Sequence, residues 1–241
     1  MCGALPGEGL SCDAVGMADP KTDEKKTNGA HTNGHSNGAH LEDDESDGEA
    51  SEDAGAEAEL SPSPPEVLEL AASCARFVHA KYGVPMDGTS DTLSLLDQYV
   101  RDARADIQVK PETLDLLQGT IGAYLGEVIR RDLGGEWFAK GAHEAWRLQM
   151  ATAYLTFNPI GMAREALLLE ESEGFHAHLE TDPADREDLE HRLKLLPEVE
   201  DDEFYSPSNR FDVVSIAVEA LHAKMVANGL GDVRFTSDDY R

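Results

Sequence analysis

The sequence predicts an α+β fold: a mostly helical single domain carrying a small three-stranded antiparallel meander, preceded by a disordered acidic tail. Three observations predict it. Thr27 to His40 is a near-repeat of Asn, Gly and His with no large apolar residue, and Leu41 is then followed by ten acids, ending at Glu59, with no Lys or Arg among them. Such a stretch cannot bury enough apolar surface to offset the roughly 1–2 kcal/mol per residue that ordering a backbone costs. Past Pro62, apolar residues recur at helical spacing between cap and stop signals. Between Glu136 and Phe157 that spacing shortens toward two, the period of a strand. The division is therefore 1–62 for the tail and 63–241 for the domain.

The elements follow in order. Ser61-Pro62-Ser63-Pro64-Pro65 is a stiff hinge whose end makes a helix start, with Ser63 as cap and Pro64 in the first turn. Val67, Leu70, Ala71, Cys74, Phe77 and Val78 form the stripe of that helix, and Gly83 closes it. Ser90-Asp91 caps a second helix carrying Leu93, Leu96, Tyr99 and Val100. Lys110-Pro111 opens a third, with Leu117, Ile121, Leu125, Val128 and Ile129 as its buried face.

Gly119, Gly122 and Gly126 stack along one side of this third helix. Each costs up to about 1 kcal/mol in a helix interior, which predicts that another backbone packs against them. Short strands are expected at 136–140, 145–150 and 154–157, with turns at Gly141-Ala142 and Ala151-Thr152. Asn158 to Gly161 reads as a turn into a helix with Ala163, Ala166 and Leu167. Asp182-Pro183 starts a helix striped by Leu189, Leu193 and Leu196. Ser206-Pro207 starts the last one, which runs to Asn228-Gly229. Asp232 to Phe235 is a strand or a strap.

Charge narrows the function. The chain has a formal net charge of −28. Residues 1–62 hold 15 acids and 3 bases, a net of −12, and leave −16 on the domain. A surface of that sign repels phosphate backbones and anionic lipid, so nucleic acid and membranes are not expected partners. Another protein with a basic surface is. The three cysteines, Cys2, Cys12 and Cys74, make neither a disulfide framework nor a metal knuckle. No signal-peptide core and no run of 18 apolar residues occurs, which predicts a cytoplasmic protein.

Leu117-Gln118-Gly119-Thr120-Ile121-Gly122-Ala123-Tyr124-Leu125-Gly126-Glu127, Gly134-Gly135-Glu136-Trp137 and Phe157-Asn158-Pro159 together resemble small bacterial domains of unknown function. Those domains have a helix ending Gly-x-x-x-Gly-Glu, a Gly-Gly-x-Trp turn into a hairpin and a Phe-x-Pro turn into a further helix. Asp87 to Asp97 is similar to their entry segment. The resemblance spans roughly Val84 to Leu179, implies the fold of that stretch, and brings no catalytic residue or activity with it.

Three constellations offer chemistry. Glu127 and Glu136 flank a helix-to-strand turn, either as a carboxylate pair for acid–base work or as an ion-pair cluster fixing the turn. Phe175-His176-Ala177-His178-Leu179 would set His176 and His178 on one strand face, where His191 or His222 would complete a zinc site. The alternative is a pair of solvated histidines in an acidic loop. Glu200, Asp201, Asp202, Glu203, Phe204 and Tyr205 combine acids with aromatics, a pattern suited to a basic partner surface. It also suits a solvated connector.

No nucleophile motif, zinc-protease motif, P-loop or dinucleotide fingerprint is present. The expectation is a non-enzymatic regulatory protein without cofactor, which masks, inhibits or escorts another protein by stoichiometric binding. Its tail would serve regulated degradation, and a homodimer stays open. The alternatives are a metal- or small-molecule-dependent enzyme and an immunity-type protein that neutralises a toxin.

Overall fold

A computed structural model describes residues 61–240; the acidic tail lies almost wholly outside them. Seven α-helices are present among the described residues: α1 (Pro65–Tyr82), α2 (Leu93–Val109), α3 (Leu114–Leu133), α4 (Pro159–Leu168), α5 (Pro183–Leu193), α6 (Asp201–Phe204) and α7 (Pro207–Ala227). One antiparallel sheet joins them, with strands β1 (Gly135–Phe138), β2 (Arg147–Met150), β3 (Leu155–Phe157) and β4 (Glu180–Thr181) side by side in chain order. The fold is α+β and mostly helical, as the residue pattern predicts.

α3 is the centre. Every residue from Leu117 to Arg130 is buried, so this helix has no solvent face over that span. A helix enclosed all round must accept neighbours on several sides, and α1, α4 and the first two strands pack on it. The glycines admit two of these neighbours. A Cβ on Gly122 would meet Ile160 Cα and would stand 2.7 Å from Pro159 O and 2.8 Å from Ile160 N. A Cβ on Gly126 would strike the Trp137 ring, 2.6 Å from Cη2, and Pro159 Cγ at 3.0 Å. The close backbone expected along the three glycines is met at Gly122 alone, by the first turn of α4; Gly126 and Gly119 instead face side chains, the Trp137 ring and Pro159 for the one and His143 and Leu70 for the other.

That turn is fixed by Asn158, which is fully buried. Its side-chain oxygen accepts from Ile160 N (2.9 Å) and Gly161 N (3.3 Å), capping α4. Its Nδ2 donates to His143 O (2.8 Å), and its backbone N–H donates to His176 O (2.9 Å). One residue therefore joins a helix start, the β1–β2 connection and the loop before β4. The 158–161 segment read as a turn is already helix from Pro159 onward.

Four further details differ from the sequence reading. The meander gains β4, which pairs Leu155 with Thr181 and Thr156 with Glu180. Two residues are too few to show alternation, so no period marked it. The strands are also shorter than 136–140 and 145–150, because His143–Ala145 forms a 3-10 turn between them. Ser90–Thr92 is likewise a 3-10 turn ahead of α2, with no side-chain cap, and just before it the Asp87 carboxylate accepts from Thr89 N and Oγ1. Ser63 does not cap α1: the residue before the helix is Pro64, and the Ser63 hydroxyl points to Glu127.

The C-terminal segment is a strap. Phe235 N donates to Ala151 O (2.9 Å), and Tyr240 stacks on Tyr154 at 4.6 Å with its hydroxyl donating to Met150 O (2.7 Å). Cys74 is fully buried in α1 and unpaired, and burial pushes its thiol up to about 12. No helix among the described residues is long and apolar enough to cross a membrane.

The α3–α4 crossing makes a quantitative demand. Gly122→Ala forces backbone apart and is expected to cost about 1–3 kcal/mol, the usual range for overpacking. Gly119→Ala should cost less, because its nearest neighbour is the rotatable His143 ring at 3.1 Å. Urea unfolding midpoints check both; equal midpoints for the two variants would contradict the backbone contact.

Candidate functional site

The two carboxylates of the helix-to-strand turn do not meet. Glu127 is buried at the C-terminal half of α3 and receives Ser63 Oγ (2.5 Å), Trp137 Nε1 (2.8 Å) and Arg130 through Nε (3.0 Å) and Nη2 (3.2 Å). It is a joint between the start of α1, the end of α3 and β1. Burial on its own pushes this carboxyl up, but the hydrogen bonds from Arg130 and Ser63, the Arg130 charge and Trp137 together hold it below its ordinary value. Glu136 lies one residue before Trp137 on β1, so strand alternation turns it to the opposite sheet face. There it borders a shallow cavity with Lys140, Arg147 and Tyr240. Trp137 and Trp146 meet edge to face at 6.4 Å and pack the hairpin.

The acidic run splits in two. Asp202, its side chain still 43% exposed, turns toward α2 and binds Arg101 Nε (2.8 Å) and Arg104. Hydrogen bonds from Arg104 and Arg101 hold its carboxyl below the usual carboxylate range. Tyr205 is buried. Glu200, Asp201 and Glu203 face solvent, and Phe204 is 44% exposed. Arg210, on the first turn of α7, lies over both rings, 4.7 Å from Phe204 and 5.2 Å from Tyr205.

Arg210 is where separate sequence features come together. Its Nη2 binds Glu165 Oε2 at 2.8 Å, with side chains 13% and 9% exposed. Glu165 also accepts from Ser172 N (3.2 Å). Burial pushes Glu165 above its ordinary value, only partly opposed by Ser172 and Arg210, and burial pushes Arg210 down. Both directions say that desolvation outweighs mutual attraction. The pair forms the floor of a cavity of about 500 Å³, walled by Phe204, Tyr205, His176, His178 and the acids Glu171 and Glu173. Two buried polar atoms in these walls, Arg210 Nε and Ser172 Oγ, have no hydrogen-bond partner.

His176 and His178 are on the loop before β4, not on a strand. Buried Phe175 and Ala177 alternate with them and press on Gly161, where an added Cβ would stand 2.8 Å from Phe175 Cβ and 3.1 Å from Ala177 Cβ. The third donor is Glu180, which sequence spacing alone did not select. His176 Nδ1 stands 2.7 Å and His178 Nε2 3.3 Å from Glu180 Oε1. His222 instead faces Thr152 O at 3.2 Å, and His191 sits on the exposed side of α5.

Behind His178, Phe204 and Arg210 opens a second and larger recess, a groove of about 940 Å³ between α5 and α7. Leu179, Leu189, Leu193, Leu196, Val199 and Val213 line it. The stripe seen in the sequence is only half covered, and α5 ends before its last member: Leu189 is buried, while Leu193 and, beyond the helix, Leu196 are partly open. No family model matches this chain, and neither a curated protein nor a solved structure matches it.

Two outcomes are expected. Glu127 has a lowered folded value, so its stabilisation is present above about pH 4.5 and is lost as pH falls through the folded value. Glu127→Gln should therefore flatten the acid limb of stability below pH ~4.5, measured by urea unfolding at several pH values. Glu165→Ala, which strands Arg210, should cost about 3–5 kcal/mol, whereas Glu165→Leu combined with Arg210→Met should cost far less. Chemical denaturation of the single and double variants decides this.

Proposed function

We propose that the folded domain is a non-catalytic binding protein which holds a cationic, amphipathic segment of a partner protein in the α5–α7 groove. The observation that carries this reading is the groove itself, an apolar trough left open on a domain with a net charge of −16. α5 has 11 residues, about 16 Å of helix, enough to accompany two to three turns of a docked helix with anchors at i, i+3 or i+4, and i+7.

The charge of the ligand follows from where the bases go. Arg101, Arg104, Arg130, Arg210 and Lys224 all make internal ion pairs. On the groove rim, Lys194 faces Glu190 at 3.8 Å. The groove is lined by Glu180, Glu190 and Glu198 against Arg186, Lys194 and Arg210, so the acidic surplus comes from Glu200, Asp201 and Glu203 just beyond it and from the domain's net charge of −16. An approaching Lys- or Arg-bearing segment is attracted by this surplus, and its apolar face then meets the leucines.

Binding to the full chain is measured by fluorescence anisotropy with a labelled Lys/Leu peptide of helical period. Its Glu/Leu counterpart and a shuffled Lys/Leu peptide serve as comparisons. The patterned cationic peptide should bind best and weaken with salt. Leu193→Asp and Leu196→Asp should each reduce affinity at least about tenfold, as losing an anchor does. Equal binding of all three peptides, or unchanged affinity in both variants, overturns the reading.

A further inference from the structure

The geometry points to a binding site for a divalent d-block metal ion of the zinc type, ligated by His176 Nδ1, His178 Nε2 and a Glu180 carboxylate oxygen. These donor atoms lie within 4.8 Å of one another. The two nitrogens are 2.7 and 3.3 Å from Glu180 Oε1. Ligands about 2.0–2.1 Å from a tetrahedral zinc stand about 3.3 Å apart, a spacing near the two nitrogen–carboxylate sides of the donor triangle. Two imidazoles with one carboxylate favour zinc and its d-block neighbours; calcium and magnesium demand shells made of oxygen.

The backbone is built to hold this arrangement. His176 adopts φ +51°, a left-handed conformation uncommon for a side-chain-bearing residue. Its carbonyl accepts from Asn158 N, and buried Phe175 and Ala177 anchor the loop on either side of it. Glu180 is fixed by its place in β4, opposite Thr156. Strain maintained by surrounding packing and aimed at a donor cluster is the pattern of an organised site.

His176 and His178 also line the cavity whose walls include Glu165 and Arg210. Glu171 and Glu173 line the same cavity and favour a cation there. Each imidazole ligates in its neutral form, with its hydrogen on the other ring nitrogen. His178 and Glu180 also line the α5–α7 groove, so the metal alone, with no peptide present, is the probe of this site.

The test uses the full chain carrying His31→Ala, His35→Ala and His40→Ala, which removes the tail imidazoles. Zinc chloride is titrated by calorimetry and cobalt(II) by visible absorption. One zinc per chain is expected, with the intense absorption of four- or five-coordinate cobalt, and calcium should not compete. His178→Ala and Glu180→Gln, added singly, should each weaken zinc binding by about 100-fold or more, beyond what a lost supporting contact costs. At position 176 the change is His176→Asn, because Asn tolerates positive φ. The His178 side chain is 73% exposed, so its removal should leave the thermal midpoint in EDTA unchanged. Loss of all zinc binding with the tail histidines, or zinc binding unaffected by the loop substitutions, overturns the site.

Discussion

The arrangement rests on a helix that lacks side chains where another helix begins. Gly122 lets the first turn of α4 lie directly on α3, at a separation that a single methyl group would forbid. Asn158 is thereby placed, and its three attachments set the β1–β2 connection and the loop of the two histidines. Glu165, one turn further along α4, then reaches Arg210. A contact with no chemistry of its own thus determines where the polar groups stand.

The buried charges show how similar burial can give opposite electrostatics. Glu127 and Glu165 are both nearly closed to solvent. Glu127 collects donors from Ser63, Arg130 and Trp137 and is stabilised as an anion. Glu165 has one arginine and one backbone N–H, and desolvation prevails. Donor number, more than depth, decides the sign. The first carboxylate acts as a rivet. The second pair sits under a cavity and retains unmet bonding capacity, the condition in which an ion pair is a poor source of stability.

What could be read from the chain followed from local periodicity. Helix stripes, the Gly83 and Asn228-Gly229 stops, and the Asp182 and Ser206 caps all lie within a few residues of the structure they specify. Gly119, Gly122 and Gly126 announced a close neighbour because glycine is costly in a helix. What escaped was long-range. Ser63 finds Glu127 across 64 positions, and Asp202 finds Arg101 across 101. Glu180 is only four residues from His176, yet it belongs to a strand too short to carry a period, so its carboxylate did not stand out among many acids. The acidic run 200–205 looked uniform, and only the fold separates buried Tyr205 and the arginine-paired Asp202 from the outward members.

Cys74 turns the tightness of the α1–α3 contact into a clock. A thiol with its acidity suppressed to about 12 is almost wholly protonated at neutral pH, so a soluble alkylating reagent finds no nucleophile while α1 stays seated. Reaction proceeds only during excursions that lift the helix and hydrate the sulfur. The rate at which this cysteine is trapped therefore counts how often the first helix leaves the body of the protein.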